Sequence, residues 1–478
     1  MSASAAAQTG IASDSAVAGQ TRIGLWPQLS WASGSFATGA LFNVMALFAL
    51  FYMTNTLAIE PALAGTIILV VRIYDGIIDP LIGAISDRTQ HRWGPRRIYL
   101  LVGAVALGAT FIAFFNLSLL GVEGTSAGLL ATLALMLFST AYSLFSIPYL
   151  AMPPDIATDY DARTRLMSFR VFFLLAGVMA GSAGAPLLVE AMGSQAQGYR
   201  AMSVILGLAA ALMCAIVFIG AAWLPKPPVQ TRAQPLNTLA MLKSPFTDTV
   251  RVFGNAPFRV LTLVKLFQLA VLYTVLTCSP YFFQFVLKVG NVELSKYLTI
   301  FSVAGIVSVP VYRWIIAKAG KRETYLALLV FYSLSLASWF VWVPGEPQWA
   351  FFARAVVIGS FSTGTLLCAL AMLPDTMEYD RLSSGEGREG IMSGVFTFVE
   401  NFAGAIGPFV IGLLLQAGGL IASRDPSTVQ PAQVLEAVQW GVSIVPALFC
   451  LAAIPMLWTY RLDERGLEDM RAANQAPA

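Results

Sequence analysis

Long apolar segments follow one another along almost the whole chain, and short stretches of charged residues, glycine and proline separate them. A helix rises about 1.5 Å per residue, so roughly 20 apolar residues cross the roughly 30 Å hydrocarbon layer of a membrane. The pattern predicts an all-α integral membrane protein with twelve spans, at residues 29–53, 61–85, 98–119, 127–152, 167–193, 201–224, 258–287, 297–316, 324–344, 348–373, 391–417 and 439–460.

Composition supports a lipid environment and argues against an enzyme. Apolar residues make up 57% of the 478 residues and charged residues only 12%, with a mean hydropathy of +0.72. The four cysteines lie singly in apolar runs without C-x-x-C spacing, which disfavours disulfides and zinc. The single histidine, His91, lies in a charged loop, so a histidine base or metal centre is not expected. We expect no catalytic residues and no cofactor.

A proline-rich connection divides the spans into six and six, and we interpret it as a linker. Most lysines and arginines fall on the side of the chain termini, which predicts that both termini are cytoplasmic. Residues 1–24 lack the basic start and compact apolar core of a signal peptide. The predicted organisation is a cytoplasmic tail at 1–24, a six-helix bundle at 25–224, a cytoplasmic linker at 225–257, a second six-helix bundle at 258–460 and a cytoplasmic tail at 461–478.

Two short segments recur at equivalent places in the two halves. Leu150 to Asp155 matches Leu370 to Asp375, each at the end of the fourth helix of its half, and Gly94 to Leu100 matches Gly320 to Leu326, each after the second helix. Chance similarity between loops is the alternative, but two matches in the same order favour an internal duplication. Two parallel six-helix repeats are the plan of the major facilitator superfamily, in which substrate binds between the halves.

The second predicted helix carries three ionisable residues on one face. Arg72 precedes Asp75 by three residues and Asp79 follows Asp75 by four, so the three side chains share a helix face. Their net charge of about −1 would be cancelled by one proton or one alkali cation, as a coupling-ion site requires. Sodium prefers oxygen ligands, whereas a buried carboxylate also suits a proton, and the residues permit either. A purely structural salt bridge is the alternative.

Short motifs along the chain, above all Val71 to Pro80, Pro374 to Asp380 and Gly385 to Ile391, resemble those of the glycoside-pentoside-hexuronide:cation symporters of the major facilitator superfamily. The resemblance implies that Asp75 and Asp79 bind the cation, that Ser143 adds an oxygen, and that Arg72 is their charge partner. Where the family has a further amide ligand this chain has Ile78, which weakens the case for Na⁺ and strengthens that for H⁺. The motifs are Val71 to Pro80, Ser86 to Thr89, Arg92 to Gly94, Ile147 to Tyr149, Arg163 to Leu166, Asn255 to Phe258, Pro374 to Asp380 and Gly385 to Ile391.

The sugar-binding positions implied by the resemblance depart from the family. Two galactoside-binding carboxylates fall on Gly39 and Ser146, and two aromatic positions become Leu150 and Leu366. Galactoside recognition is therefore not carried over, and a different or less hydroxylated ligand is expected. The predicted substrate cavity comprises Tyr142, Ser146, Tyr149, Leu150, Lys265, Gln268, Leu366, Glu400 and Asn401. Within this set Glu400 is expected to be either a second protonation site or the partner of a cation of the second half, for which Lys265 is the candidate unless it extends to the membrane surface instead.

Charged residues also occur at matching ends of the two halves. Asp155 and Arg163 in the first half correspond to Asp375 and Arg388 in the second. We predict that these four residues form a cytoplasmic gate between the halves, with solvated charged loops as the alternative.

Together these features predict a secondary active transporter that couples H⁺ or Na⁺ to symport of a glycoside, sugar or related small solute by alternating access. The alternative keeps the coupling but carries a more apolar ligand, such as a lysolipid. A channel is disfavoured because coupled two-repeat proteins close around their substrates. We expect a multi-pass monomer in the plasma (cell inner) membrane that contacts lipid and its small-molecule substrate and binds no nucleic acid.

Overall fold

The computed structural model describes residues 24–89, 91–93, 96–122, 124–153, 160–192, 194–223, 251–342, 346–385, 388–425, 428–462, 467–468 and 470. All regular secondary structure in these ranges is helical. Most of the predicted tails and of the linker lies outside them, so the predicted division into five parts stays a prediction.

Twelve long helical elements are present in the described ranges, in the order predicted. They are α1 (Leu25–Asn55), α2 (Pro61–Arg88), α3 (Arg97–Phe115), α4 (Gly124–Leu150), α5 (Tyr160–Met179 and Ala185–Glu190, joined by the π-helical turn Ala180–Gly184), α6 (Gln195–Gly220), α7 (Ala256–Tyr281, extended by the π-helical turn Phe282–Val286), α8 (Asn291–Ala319), α9 (Lys321–Ala337), α10 (Gln348–Ser384), α11 (Glu389–Ala417) and α12 (Ala432–Val442 and Ile444–Trp458).

Eleven of these elements are long and apolar enough to cross a membrane, and α9, with 17 residues, is the shortest. Large apolar side chains such as Val105, Leu129 and Phe172 are exposed on the outside of the bundle, as expected for a surface that faces lipid. Several predicted ends were wrong. The helix predicted at 348–373 continues to Ser384, and the one predicted at 324–344 ends at Ala337. The end of the helix predicted at 348–373 was wrong because the helix does not stop where the apolar run stops. It continues through the charged residues that follow, up to Ser384.

The two sets of six helices pack in the same way. In the first set α1 contacts α5 and α6, while α3 contacts α4 and α6 and α2 contacts α4. Adding six to each number gives the corresponding pairs of the second set, where α7 contacts α11 and α12, α9 contacts α10 and α12, and α8 contacts α10. This correspondence agrees with the duplication inferred from the repeated segments.

Glycines allow close approaches between corresponding pairs of helices in the two sets. A Cβ on Gly177 of α5 would lie 2.3 Å from the carbonyl oxygen of Phe36 on α1. A Cβ on Gly407 of α11 would lie 2.5 Å from the backbone nitrogen of Thr274 on α7. Small residues are favoured at such contacts because packing between spans depends on van der Waals contact.

The two sets meet through α2 and α11, α1 and α7, and α5 and α8. The hydroxyl groups of Thr54 and Tyr281 are hydrogen-bonded at 2.7 Å, and the hydroxyl of Ser295 donates to the carbonyl oxygen of Ala183 at 2.6 Å. The carboxylate of Glu190 accepts from both the backbone and the side-chain nitrogen of Asn291, at 3.1 Å each. We call this end of the bundle, where α1 ends and α8 begins, the closed end.

The contact at Gly177 predicts a loss of stability when that residue is enlarged. Gly177→Ala should lower the free energy of unfolding by about 1 to 3 kcal/mol, because the added methyl group overlaps the backbone of α1. Thermal unfolding of the purified protein in detergent measures the effect. Gly394→Ala is the matched control, since a Cβ there meets nothing within 4 Å; equal melting temperatures for the two variants would contradict the packing argument.

Candidate functional site: a charged cavity between α1, α2, α4 and α11

A cavity of about 700 Å³, counting the space at its mouth, lies where three helices of the first set meet α11 of the second. Its walls combine apolar side chains of α1, such as Phe42 and Met45, with polar side chains of α4 and the charged residues of α2. The second set contributes Asn401 and Gly404. The cavity therefore lies on the boundary between the two sets of helices.

Arg72 and Asp75 form an ion pair in this cavity. Nη1 of Arg72 donates to Oδ2 of Asp75 at 3.1 Å, and the guanidinium lies 4.8 Å from the ring centre of Phe42. Asp75 is only 4% exposed, and its other oxygen, Oδ1, has no hydrogen-bond partner among the described residues. A buried carboxylate oxygen without a donor is unfavourable, so Asp75 presents one oxygen that a cation or proton would satisfy.

Asp79 lies one helical turn further along α2 and is held from α4. The hydroxyl of Ser143, which is buried, donates to Oδ1 of Asp79. Pro80 follows within the same helix and has no N–H, so the carbonyl of Gly76 lacks its usual helical donor. The predicted association of Asp75, Asp79, Ser143 and Arg72 is thus observed as a geometric cluster.

The atoms of this cluster that could bind a cation are oxygen atoms. Within the described ranges no group of three or more His, Cys, Asp or Glu side chains is placed to hold a metal ion. One arginine and two aspartates sum to a net charge of about −1 when all three are ionised, so one proton or alkali cation would neutralise the cluster. Ile78 is not among the cavity-lining residues.

Aromatic rings pack beside the charged cluster: Phe42 and Tyr142 line the cavity, and Tyr273 contacts Phe42. Phe42 lies 6.1 Å from the ring centre of Tyr142 and also 6.1 Å from that of Tyr273 on α7. A Cβ on Gly404 would lie 3.8 Å from Nε of Arg72 and 3.7 Å from the ring of Tyr273, so this position of α11 is within ordinary contact distance of both side chains. The sequence pattern did not identify Phe42 or Tyr273, because an aromatic residue in an apolar span is indistinguishable from a packing residue.

Of the nine predicted substrate-cavity residues, Tyr142 and Asn401 line this cavity. Tyr149 instead stacks on Trp31 with ring centres 4.9 Å apart and bonds Ser35 at 2.8 Å, so it packs against α1. Ser146 is buried and Leu150 is exposed, and neither lines the cavity. The polar residues of α4 therefore divide between the cavity and the contact with α1.

The remaining predicted cavity residues belong to the second set. Lys265 is fully buried and pairs with Glu400, which confirms the expected contact and contradicts extension of Lys265 to the surface. Gln268 is buried and accepts from the hydroxyl of Tyr325 at 3.3 Å, so it joins α7 to α9. Leu366 is half-buried and, like Gln268, is not among the lining residues.

Half of the predicted gate lies outside the described residues, namely Asp155 and the side chain of Arg163. Asp375 accepts two hydrogen bonds from Lys321, at 2.6 and 2.8 Å.

Arg388 binds both oxygens of Asp380 at 2.9 Å each, and Asp380 also accepts from Asn255 at 3.1 Å. These bonds of Asp375 and Arg388 stay within the second set of helices. A gate between the halves stays a prediction.

The sequence and the fold were compared with those of known proteins. The family model described as MFS/sugar transport protein matches residues 30–464. The chain belongs to this family. The predicted major facilitator fold, the kinship with glycoside:cation symporters and the assignment to transport rather than catalysis are thereby confirmed.

Curated relatives are similar over nearly their whole length. The chain is 26% identical to a putative glycoside/cation symporter, YagG, of Escherichia coli (94% of each chain). It is 26% identical to an isoprimeverose transporter of Lactiplantibacillus pentosus (91% of this chain, 88% of the other). It is 27% identical to a glucuronide carrier protein homolog of E. coli (93% and 95%).

Solved structures share the fold at lower sequence identity. A bacterial homologue of the human lysosomal transporter Spinster gives a TM-score of 0.67 at 14% identity, covering 95% of this chain and 98% of that one. A D-xylose-proton symporter gives 0.63 at 14% identity, covering 92% and 98%. These similarities establish the architecture of this membrane transport protein. Its ligands are determined by its own residues.

The position of the cavity predicts a difference in chemical accessibility along α4. Ser139 and Ser146 are buried to 7% and 6% exposure, but only Ser139 lines the cavity. A small thiol reagent should therefore modify Ser139→Cys roughly tenfold faster than Ser146→Cys. Mass spectrometry after timed labelling measures both rates, and the four native cysteines, all buried, provide the background. Equal rates would show that the cavity does not admit solvent.

Proposed function

We propose that this protein couples a cation to the uptake of a sugar-like solute, by alternating exposure of the cavity between α1, α2, α4 and α11. The supporting observation is Asp75, whose buried Oδ1 has no partner although Oδ2 is paired with Arg72. A cation bound there, or a proton, would satisfy that oxygen and neutralise the cluster. Since the site lies where the two halves meet, its occupancy would alter how the halves fit together.

The coupling ion is H⁺ or Na⁺. The carboxylates of Asp75 and Asp79 and the hydroxyl of Ser143 are oxygen donors of the kind that Na⁺ accepts, and a buried carboxylate equally accepts a proton. The two ions make different demands on Ser143. As a Na⁺ ligand it supplies an oxygen, whereas in a proton site its hydroxyl only orients Asp79.

The substrate we propose is a glycoside. The relatives named a glycoside/cation symporter and an isoprimeverose transporter support this class. Aromatic rings such as Phe42, Phe138 and Tyr142 provide flat apolar surfaces on which the carbon–hydrogen faces of a sugar ring can stack. The same apolar wall would accept an acyl chain, so a lysolipid is the competing ligand.

We place both termini and the mouth of the cavity in the cytoplasm and the closed end, near Thr54 and Asn291, outside the cell. The basic residues Arg88, Arg96 and Arg97 lie at the end opposite the closed end, in agreement with the positive-inside bias. The membrane would then be the plasma (cell inner) membrane.

Uptake into proteoliposomes tests the proposal directly. Labelled methyl xyloside, methyl glucoside and methyl glucuronide should accumulate when a Na⁺ or pH gradient is imposed, and accumulation should collapse when that gradient is dissipated by an ionophore. Comparing the two gradients identifies the ion. Flux of lysophosphatidylcholine without uptake of any glycoside would refute the sugar-like substrate.

Neutralising the carboxylates should separate coupling from binding. Asp75→Asn and Asp79→Asn should each reduce gradient-driven accumulation to background, because neither variant carries the net charge that attracts the cation. Thermal unfolding checks that the variants are folded. Undiminished accumulation in both would make the α2 cluster a structural salt bridge only.

Ser143 and Ser139 provide a matched pair for the oxygen donor. Ser143→Ala removes the donor to Asp79, whereas Ser139, one turn earlier, makes no hydrogen bond through its side chain among the described residues. Cation-induced thermal stabilisation should shift to roughly threefold to tenfold higher cation concentration in Ser143→Ala and remain unchanged in Ser139→Ala. Identical responses in the two variants would remove Ser143 from the site.

A further inference from the structure

The second half contains its own intramembrane ion pair, between α7 and α11. Nζ of Lys265 is bonded to Oε1 of Glu400 and lies 3.5 Å from the ring centre of Phe396. The Lys265 side chain is 0% exposed, whereas that of Glu400 is 39% exposed. The pair is therefore asymmetric, since the cation is sealed in the helix contact and the carboxylate reaches open space.

Glu400 lies next to the lining residues of α11, although it is not itself one of the residues that line the cavity. It precedes the lining residue Asn401 and lies one helical turn from the lining residue Gly404, on the same face of α11. Gly404 is the point where α11 approaches Arg72 and Tyr273. Helix periodicity thus puts Glu400 on the face of α11 that carries Gly404, one turn from the approach of α11 to Arg72.

The carboxylate has spare hydrogen-bonding capacity. Two carboxylate oxygens can accept about four hydrogen bonds, yet Lys265 is the sole donor to Glu400 within the described part of the chain. The other charged groups near the cavity belong to the α2 cluster, where the unpartnered Oδ1 of Asp75 is assigned to the cation. Glu400 is therefore the carboxylate that remains for a ligand.

The hydrogen bond from Lys265 fixes the orientation of the Glu400 carboxylate, which favours a role in binding over a purely structural role. Lys265 neutralises the charge, so a neutral ligand would meet no net charge at this wall, and it holds the carboxylate in one orientation. A preoriented acceptor beside aromatic rings suits a ligand that presents several hydroxyl donors, and it suits an acyl chain poorly.

We propose that Glu400 is a substrate-binding residue of the second half, and that its Lys265-anchored carboxylate accepts hydrogen bonds from hydroxyl groups of a polyhydroxylated ligand. The inference rests on the proposed function. It assigns the first half to the cation and the second half to the hydroxyl groups, so ligand and cation would together bridge the two halves across the cavity.

Three variants separate binding from structure. Glu400→Gln should weaken the affinity for the methyl glycoside that the protein transports by roughly tenfold or more, because a charged acceptor is lost. Glu400→Asp keeps the ion pair but draws the carboxylate back, and should also lose affinity. In Lys265→Met/Glu400→Gln no unpaired buried charge remains, so a structural role predicts recovery of affinity whereas a binding role predicts none. Thr397→Ala, one turn away on α11, is the control.

Each variant is assayed by competition binding of the methyl glycoside and by cation-induced thermal stabilisation. Weakened glycoside binding with an unchanged cation response supports the proposal. Recovery in the double variant, or wild-type affinity in both single variants, overturns it.

Deoxy analogues of the same methyl glycoside add a second readout. If a ligand hydroxyl donates to Glu400, the analogue lacking that hydroxyl binds the wild type weakly and loses little more in Glu400→Gln. Additive losses for every analogue would overturn the proposal. A wild type that binds no methyl glycoside would refute the proposed function itself, and this inference with it, which distinguishes the two failures.

Discussion

An ionised carboxylate inside a membrane is unfavourable unless it is paired, and this constraint governs the centre of the molecule. One arginine on α2 faces two aspartates. It is paired with Oδ2 of Asp75, whereas Oδ1 of Asp75 has no hydrogen-bond partner among the described residues. Ser143 supplies a hydrogen bond to Asp79 but no charge. The cluster is thus stable enough to exist in the fold and still short of one positive charge.

The surrounding packing keeps this imbalance at the boundary between the halves. α2 lies against α11, where a Cβ on Gly412 would meet the carbonyl oxygen of Pro61 at 2.5 Å. Further along α11, Gly404 lies next to Arg72 and Tyr273. The charged helix α2 is therefore in contact with the other half. A coupled transporter must transmit a change in the charge of α2 to that half.

The two halves carry charge in different ways despite their shared helix packing. The α2 cluster is one positive charge short, whereas Lys265 and Glu400 balance each other. A site that is short of one charge suits a cation, and a balanced pair with a solvent-exposed carboxylate suits neutral hydroxyl groups. The similarity of the two halves therefore extends to their helix packing but not to their placement of charge.

The sequence determined the membrane character, the order of the twelve long helical elements and the clustering of Arg72, Asp75 and Asp79, because these depend on composition, on the length of apolar runs and on spacing within one helix. It also indicated the pairing of Lys265 with Glu400, since two opposite charges in lipid have few other partners.

Only the tertiary structure decided which way the polar residues of α4 point, sending Ser143 to Asp79 and Tyr149 to Ser35. It likewise brought Phe42 and Tyr273 into contact above Arg72 and directed Gln268 towards Tyr325. The reason is geometric. Neighbouring side chains on one helix diverge by about 100°, and the packing of other helices determines which of them faces the cavity.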